Sequence, residues 1–297
     1  MTFPLLPGPR PARPRPLGRA ELRAAAQFCA ERGADGVMAG ARIRQSMRAV
    51  APFVEVWAVE RRGARRPGRP LAPGQIEALA WAGGNLIPVG ADAAAARAFA
   101  GLARARGARY ASIVGEAGAV GAMWAVLSGA WPQPRSVRPS QPCLALAGQP
   151  LVAADPLVRV ATMDMLEVLV PACRAMFAEE LGFEPPGPPG AYRAHVAAQI
   201  GRGNILARVS PRGDRVVFKA ELGSECGAWV QVQGVWTDPQ WRGRGLAKAG
   251  MAAVVQEARR RDLANVCLYV NDFNAAALAV YRAVGFAQVS TWATVMF

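Results

Sequence analysis

Two hydrophobic periods take turns along the second half of the chain, and each switch between them marks an element. Residues 158–162 read as a strand and 165–181 as a helix, stopped by the Gly/Pro cluster at 184–190. A further helix is expected over 192–200. Residues 205–209, 215–222 and 229–236 alternate apolar with polar side chains, as consecutive antiparallel strands do, with turns expected at 211–213 and at Gly223-Ser224. A helix over 246–261, a strand over 266–270, a short helix after Asn274 and two closing strands, 286–290 and 291–297, complete a mixed α/β order.

The first half repeats that order less clearly. Strands are expected at 53–59 and 76–89, then a helix at 93–106, a strand at 110–114, a helix at 119–127 and a strand at 143–147. Setting Gly84 against Gly234 brings helix 93–106 opposite helix 246–261, which points to an internal duplication. Residues 128–142, rich in Pro and Arg, lead into the last strand of this half. The division expected is a disordered Pro/Arg-rich tail over 1–16, one domain over 17–150 and a second over 151–297.

Composition narrows the chemistry. A chain of 297 residues with 52% hydrophobic content can fill two cores. Its net charge of +14 would suit an anionic partner, yet only Lys219 and Lys248 are lysines and the arginines form no continuous stripe. Nucleic acid is therefore not expected as a partner, whereas a small anionic cofactor is compatible. Five widely spaced cysteines provide neither an even disulfide framework nor a Cys-x-x-Cys metal site, and one histidine, His195, argues against a His-ligated metal or a Ser-His-Asp triad. The first sixteen residues lack a signal-peptide core and no eighteen-residue apolar run occurs, so a cytoplasmic protein without a membrane span is expected.

The candidate chemistry begins where strand 229–236 delivers Gln240-Trp241-Arg242-Gly243-Arg244-Gly245 to a helix start at Leu246 and Ala247. Glycines let a backbone approach an anion closely, and the first helical turn presents unpaired N–H groups at the positive end of the dipole. Downstream, Asn274 is a good N-cap and Gly285 a left-handed stop for a helix that carries Tyr281. Asn274 and Tyr281 are seven residues apart, so both lie on one helix face.

These two elements, in this order with a strand between them, resemble the GNAT superfamily of N-acetyltransferases. Gln240, Gly243 and Gly245 match its Q/R-x-x-G-x-G/A loop, and Asn274, Tyr281, Gly285 and Phe286 match its Asn-led helix with a terminal Tyr and following Gly-Phe. The resemblance covers roughly residues 151–297, and the first half looks like the N-terminal domain of bacterial two-domain GNAT proteins. It implies an α/β (mixed α+β) fold of two tandem GNAT-like domains, each a mostly antiparallel mixed sheet flanked by helices, the first degenerate. It also implies direct acetyl transfer from acetyl-CoA, without a metal, to an amine acceptor.

On that resemblance, the N–H groups from Arg242 through Ala247, with the Arg242 and Arg244 side chains, are expected to hold the pyrophosphate. The backbone of Val235, Trp236 and Thr237 would pair with pantetheine beside a bulge at Gly234, and Asn274 would hold pantetheine, cap the helix or do both. Tyr281 is the expected general acid for the departing thiolate. Glu221 is the first choice to accept the amine proton and Glu225 the second, because Lys219 with Glu221, and Gln231 with Gln233, place polar faces on a sheet covered on both sides. Glu179 and Glu180 could attract a cationic acceptor. In the first half, Pro88-Val89-Gly90-Ala91-Asp92 lacks the glycine pattern and carries an acid where a pyrophosphate would sit, and helix 119–127 has no tyrosine. A non-catalytic CoA-binding regulatory protein is the alternative. A dinucleotide-binding oxidoreductase is disfavoured, since Lys248 stands where a third glycine belongs and the strand-to-helix link is too long.

Overall fold

The computed structural model describes residues 13–48, 54–61, 63 and 70–297. In chain order the elements are β1 (Arg15–Pro16), α1 (Leu22–Glu31), α2 (Val37–Arg48), β2 (Glu55–Glu60), β3 (Ile76–Ala82), β4 (Asn85–Val89), α3 (Ala93–Arg106), β5 (Ser112–Glu116), α4 (Ala117–Leu127) and β6 (Ser136–Leu146). Then follow β7 (Arg159–Val160), α5 (Leu166–Leu181), α6 (Ala191–Gly201), β8 (Ile205–Val209), β9 (Val216–Cys226), β10 (Trp229–Thr237), α7 (Leu246–Arg260), β11 (Asn265–Tyr269), α8 (Ala275–Val284) and β12 (Ala287–Met296). The second series repeats the first element for element. The duplication expected from pattern is therefore visible in the folded chain.

Two compact units result, Met1–Gln141 with Ser290–Phe297, and Pro142–Val289. In the first, β1 to β4 pair antiparallel in sequence, β4 pairs parallel with β5, and the end of β12 pairs antiparallel with β5. In the second, β7 to β10 pair antiparallel, β10 pairs parallel with β11, and the end of β6 pairs antiparallel with β11. Each sheet thus takes its sixth strand from the opposite half of the sequence. A cut at 150/151 does not trace these units, because burial assigns the strands: Leu144 and Leu146 lie in the core of the second unit, Ala293 and Val295 in that of the first. Trp292 is buried in the first unit, and its indole N–H donates to Asp35 at 2.7 Å.

In the second unit the sheet is covered on both faces. Met251, Val254, Val255 and Ala258 of α7 pack with Leu278 of α8 against Phe218, Val230, Val232, Val266 and Leu268. Leu169 and Cys173 of α5 and Val196 and Ile200 of α6 close the other face on Ile205, Ala207, Val216 and Trp236.

Several expectations need correction. The turn at Gly223-Ser224 is absent: β9 runs through it to Cys226, and the reversal follows at Gly227, whose φ of +59° only glycine adopts easily. Residues 76–89 fold as a hairpin turning at Gly83-Gly84, so Gly84 is the counterpart of Gly227 and not of Gly234. Residues 286–297 form one strand instead of two, and part of the Pro/Arg segment, from Ser136, is already β6. Of the tail over 1–16, residues 1–12 lie outside the described residues, as does the start of the strand expected from 53. Arg15 and Pro16 pair with Ala58 and Trp57, because the Arg15 guanidinium bridges Glu21 at 2.7 Å and Glu60 at 2.5 Å. Helices α1 and α2 were not expected from sequence.

Candidate functional site

Strand β10 pairs with β11 only over Trp229–Gln231. On its other side it follows β9 to Thr237, but between Gln233 and Trp236 it carries one residue more than its partner, which is the bulge expected at Gly234. Gly234 has φ of +58°, and a Cβ there would come within 3.0 Å of Glu221 Oε1 and 3.2 Å of Lys219 Nζ. Past the bulge, the edge of β10 that faces β11 is unpaired, and a cleft of about 480 Å³ opens beside it.

The cleft is lined by Val235, Trp236 and Thr237 of β10, by Trp241, Arg242, Gly243, Gly245, Leu246, Ala247 and Lys248 from the loop and first turn of α7, and by Asn274, Ala276, Ala277, Val280 and Tyr281. Asp238 starts the loop by accepting from the Gln240 N–H at 2.8 Å. Gly243 and Gly245 have φ of +76° and +78°, with no atom within 4 Å of the place a Cβ would take. Helix α7 has no side-chain N-cap, and among the described residues the N–H groups from Gly243 through Ala247 meet no protein acceptor. Five successive donors without a protein acceptor, at the positive end of a helix and beside an open cleft, are the arrangement that favours an anion.

Helix α8 is built as expected: Asn274 Oδ1 accepts from the Ala277 N–H at 3.1 Å, and Gly285, with φ of +108°, ends it. Tyr281 is 7% exposed and packs edge-on to Phe286. Burial pushes its phenol well above the ordinary tyrosine range, and the charge of Glu180 adds to this. Its hydroxyl has no hydrogen-bond partner among the described residues.

Four expected site residues lie off this cleft. Gln240 Oε1 accepts from Arg215 at 3.1 Å, and the Arg244 guanidinium lies 4.9 Å over the Trp241 ring. Glu225 sits opposite Val230 near the exposed end of the β9–β10 hairpin. Glu221 lines a smaller cavity of about 170 Å³, with Cys173, Met176 and Phe177 of α5, Tyr192, His195, Val196 and Gln199 of α6, Ile205 and Gln233. There Glu221 Oε1 accepts from Lys219 Nζ at 2.6 Å. Arg242 does line the cleft, but its guanidinium is engaged: it donates to Thr237 O at 3.0 Å and pairs with Glu179 at 2.6 Å. Glu179, expected to draw in a cationic acceptor, instead holds Arg242 and the Trp236 indole N–H, the latter at 3.1 Å. Sequence reasoning gave no site role to Lys248 or Trp241; the placement of Lys248 in the first turn after Gly245 was the available signal. Among the described residues no group of His, Cys, Asp and Glu could hold a metal ion, and no helix is long and apolar enough to cross a membrane.

The corresponding place in the first unit is closed. Asp92 Oδ1 accepts from the Ala95 N–H at 2.8 Å and caps α3, while a Cβ on Gly90 would come within 3.2 Å of Phe28 and 3.3 Å of Arg32.

Comparison with known proteins agrees with this architecture. Residues 196–286 match the family model described as "Acetyltransferase (GNAT) family", and residues 69–169 match one described as "Domain of unknown function (DUF4081)". Residues 196–286 thus carry a GNAT-family domain. Over 61 residues it is 46% identical to a protein named mycothiol acetyltransferase from Saccharomonospora viridis, a match covering 20% of each chain. Over 90 residues it is 37% identical to one of the same name from Kocuria rhizophila, covering 29% of this chain and 30% of that one. The matches thus span less than a third of these relatives' length. The structure titled "Tandem GNAT protein from the clavulanic acid biosynthesis pathway (without AcCoA)" superposes with a TM-score of 0.54 at 16% identity, over 95% of this chain and 97% of that one. That likeness shows the fold, two tandem GNAT-like halves.

Proposed function

We propose that this protein is an acetyl-CoA-dependent N-acetyltransferase with one functional site, in the second unit, that transfers acetyl directly to an amine. The observation that carries this reading is the run of N–H donors from Gly243 through Ala247 without a protein acceptor, in the loop and first helical turn that border the cleft beside the Gly234 bulge. These donors, with Lys248, would neutralise the pyrophosphate, and the backbone of Val235, Trp236 and Thr237 would pair with the pantetheine arm past the last β10–β11 bond. Asn274, already the cap of α8, borders the same cleft. Gln240 and Arg244 would act from the rim, through the shape of the loop.

In the reaction the neutral amine nitrogen attacks the thioester carbonyl, the C–N bond forms and the C–S bond breaks. Glu221 takes the amine proton, directly or through water, and Tyr281 protonates the leaving thiolate. Burial keeps the Tyr281 phenol protonated but also makes it a weaker acid, so its proton would pass to a thiolate that is itself desolvated in the cleft. Glu221 is preferred to Glu225 because it borders a cavity next to the bulge, whereas Glu225 is at the hairpin end. The names of the local relatives make the acceptor of mycothiol acetyltransferases the first amine to test.

The test is a mass-spectrometric screen of acetyl-CoA with that acceptor and a panel of primary amines, run with the wild type and Tyr281→Phe. An N-acetylated product, formed far more slowly by the variant, is expected. Acetyl-CoA binding with no acetylation of any amine would favour a non-catalytic CoA-binding protein instead.

A further inference from the structure

Lys219 is completely buried, on a strand between α5 and the bulge of β10. Taking an ammonium and a carboxylate out of water costs several kcal/mol per ion, and a well-packed apolar pair of similar size is often as stable or more so. The pair Lys219–Glu221 therefore calls for a reason other than stability. Its surroundings are built around it: the ammonium donates to Glu221 Oε1 at 2.6 Å, and Cys173 of α5 borders the same cavity as Glu221. The missing side chain at Gly234 leaves room for both ends of the pair, since a Cβ there would press on Glu221 Oε1 and Lys219 Nζ. Among the described residues only one carboxylate oxygen is taken, and Glu221 borders the cavity under α5 and α6.

We propose that Lys219 is a positioning residue, which with Gly234 fixes the Glu221 carboxylate under the bulge with Oε1 occupied and Oε2 left to meet the acceptor amine. This rests on the acetyltransferase reading above. The titratable groups that face Glu221 are few: Cys173 from α5, Tyr192 and His195 from α6, and Lys219 on its own strand, with neutral Gln233 from β10 and Ile205 from β8. Burial opposes the charge on Lys219, and the adjoining Glu221 carboxylate outweighs it and keeps the amine protonated. Burial likewise pushes the Cys173 thiol and the Tyr192 phenol up, so both stay neutral, and Lys219 is the cation set against the Glu221 carboxylate. Without that cation, a partly buried carboxyl binds its proton more tightly.

The test is ¹³C NMR of the full-length protein labelled at glutamate carboxyls, with the Glu221 signal identified by its loss in Glu221→Gln. In Lys219→Met the Glu221 midpoint is expected about one to three pH units above that of the wild type. Lys219→Gln, which keeps a hydrogen-bond donor but no charge, should shift it the same way and serves if the methionine variant does not fold. Where an acceptor is in hand, the acid limb of kcat/KM should move by the same interval while acetyl-CoA affinity stays unchanged. A Glu221 midpoint identical in wild type and variants would overturn the proposal and leave Lys219 a packing residue. Failure of the wild type to bind acetyl-CoA would instead overturn the functional reading, and the titration would still report on the pair.

Discussion

Helices α3 and α7 occupy the same place in the two repeats, after the fourth strand and before the fifth, yet they begin in opposite ways. Helix α3 is capped by its own carboxylate, Asp92, which accepts from Ala95 N–H, and its preceding glycine is covered by Phe28 and Arg32. Helix α7 begins at Gly245 with no side-chain cap, and its free N–H groups face an open cleft. The first arrangement satisfies the helix terminus from within, and the second leaves its N–H groups without a protein acceptor, as the proposed anion site requires. One scaffold thus carries a sealed copy and an open copy of the same device, and the difference is concentrated in a few residues of one loop.

The comparison can be broken most forcefully by sealing the open copy. Gly245→Glu places a carboxylate where phosphates would bind, and repulsion of several kcal/mol should lower acetyl-CoA affinity about a thousandfold or more by calorimetry. Gly245→Ala controls for the left-handed φ of +78°, whose cost for a side chain is about 1 to 2 kcal/mol.

Trp292→Ala tests whether the chain's last strand belongs energetically to the first unit. Loss of a fully packed indole should lower unfolding stability by about 3 kcal/mol or more in a denaturant titration. Tyr281→Phe comes next, with kcat reduced about a hundredfold and acetyl-CoA affinity retained. Because burial raises the Tyr281 phenol, the protein should keep the phenol's acid form past the free value of about 10, whereas the stability tied to that proton is whole only below that value and is lost progressively as pH climbs from it through the raised folded value. The smallest effect belongs to the sealed copy. Asp92→Ala should cost about 1 kcal/mol in melting experiments, as the loss of an N-cap does, and should create no acetyl-CoA site, because Phe28 and Arg32 still cover Gly90.

What could be read from sequence was whatever depends on neighbours along the chain. The periods of α5 to α8, the Asn274 cap, the Gly285 stop and the Gly243–Gly245 loop are local, and they appear in the structure within a residue or two. Helices α1 and α2 escaped notice because Ala and Arg dominate them and blur the apolar face that Phe28, Val37 and Ile43 define. Long-range choices were not legible either. Nothing local tells residues 292–296 to pair with β5, or Arg242 to pair with Glu179 across 63 positions instead of waiting free for a phosphate. For the same reason Lys219 and Glu221 were read as one polar strand face, but not as a buried pair beneath Gly234.

The measurement that bears most directly on this account is the stoichiometry of acetyl-CoA binding by calorimetry on the intact chain. One site per chain, abolished by Gly245→Glu and untouched by Asp92→Ala, is the predicted result. Two sites, or a single site that survives Gly245→Glu, would contradict the contrast between the open and the sealed helix starts.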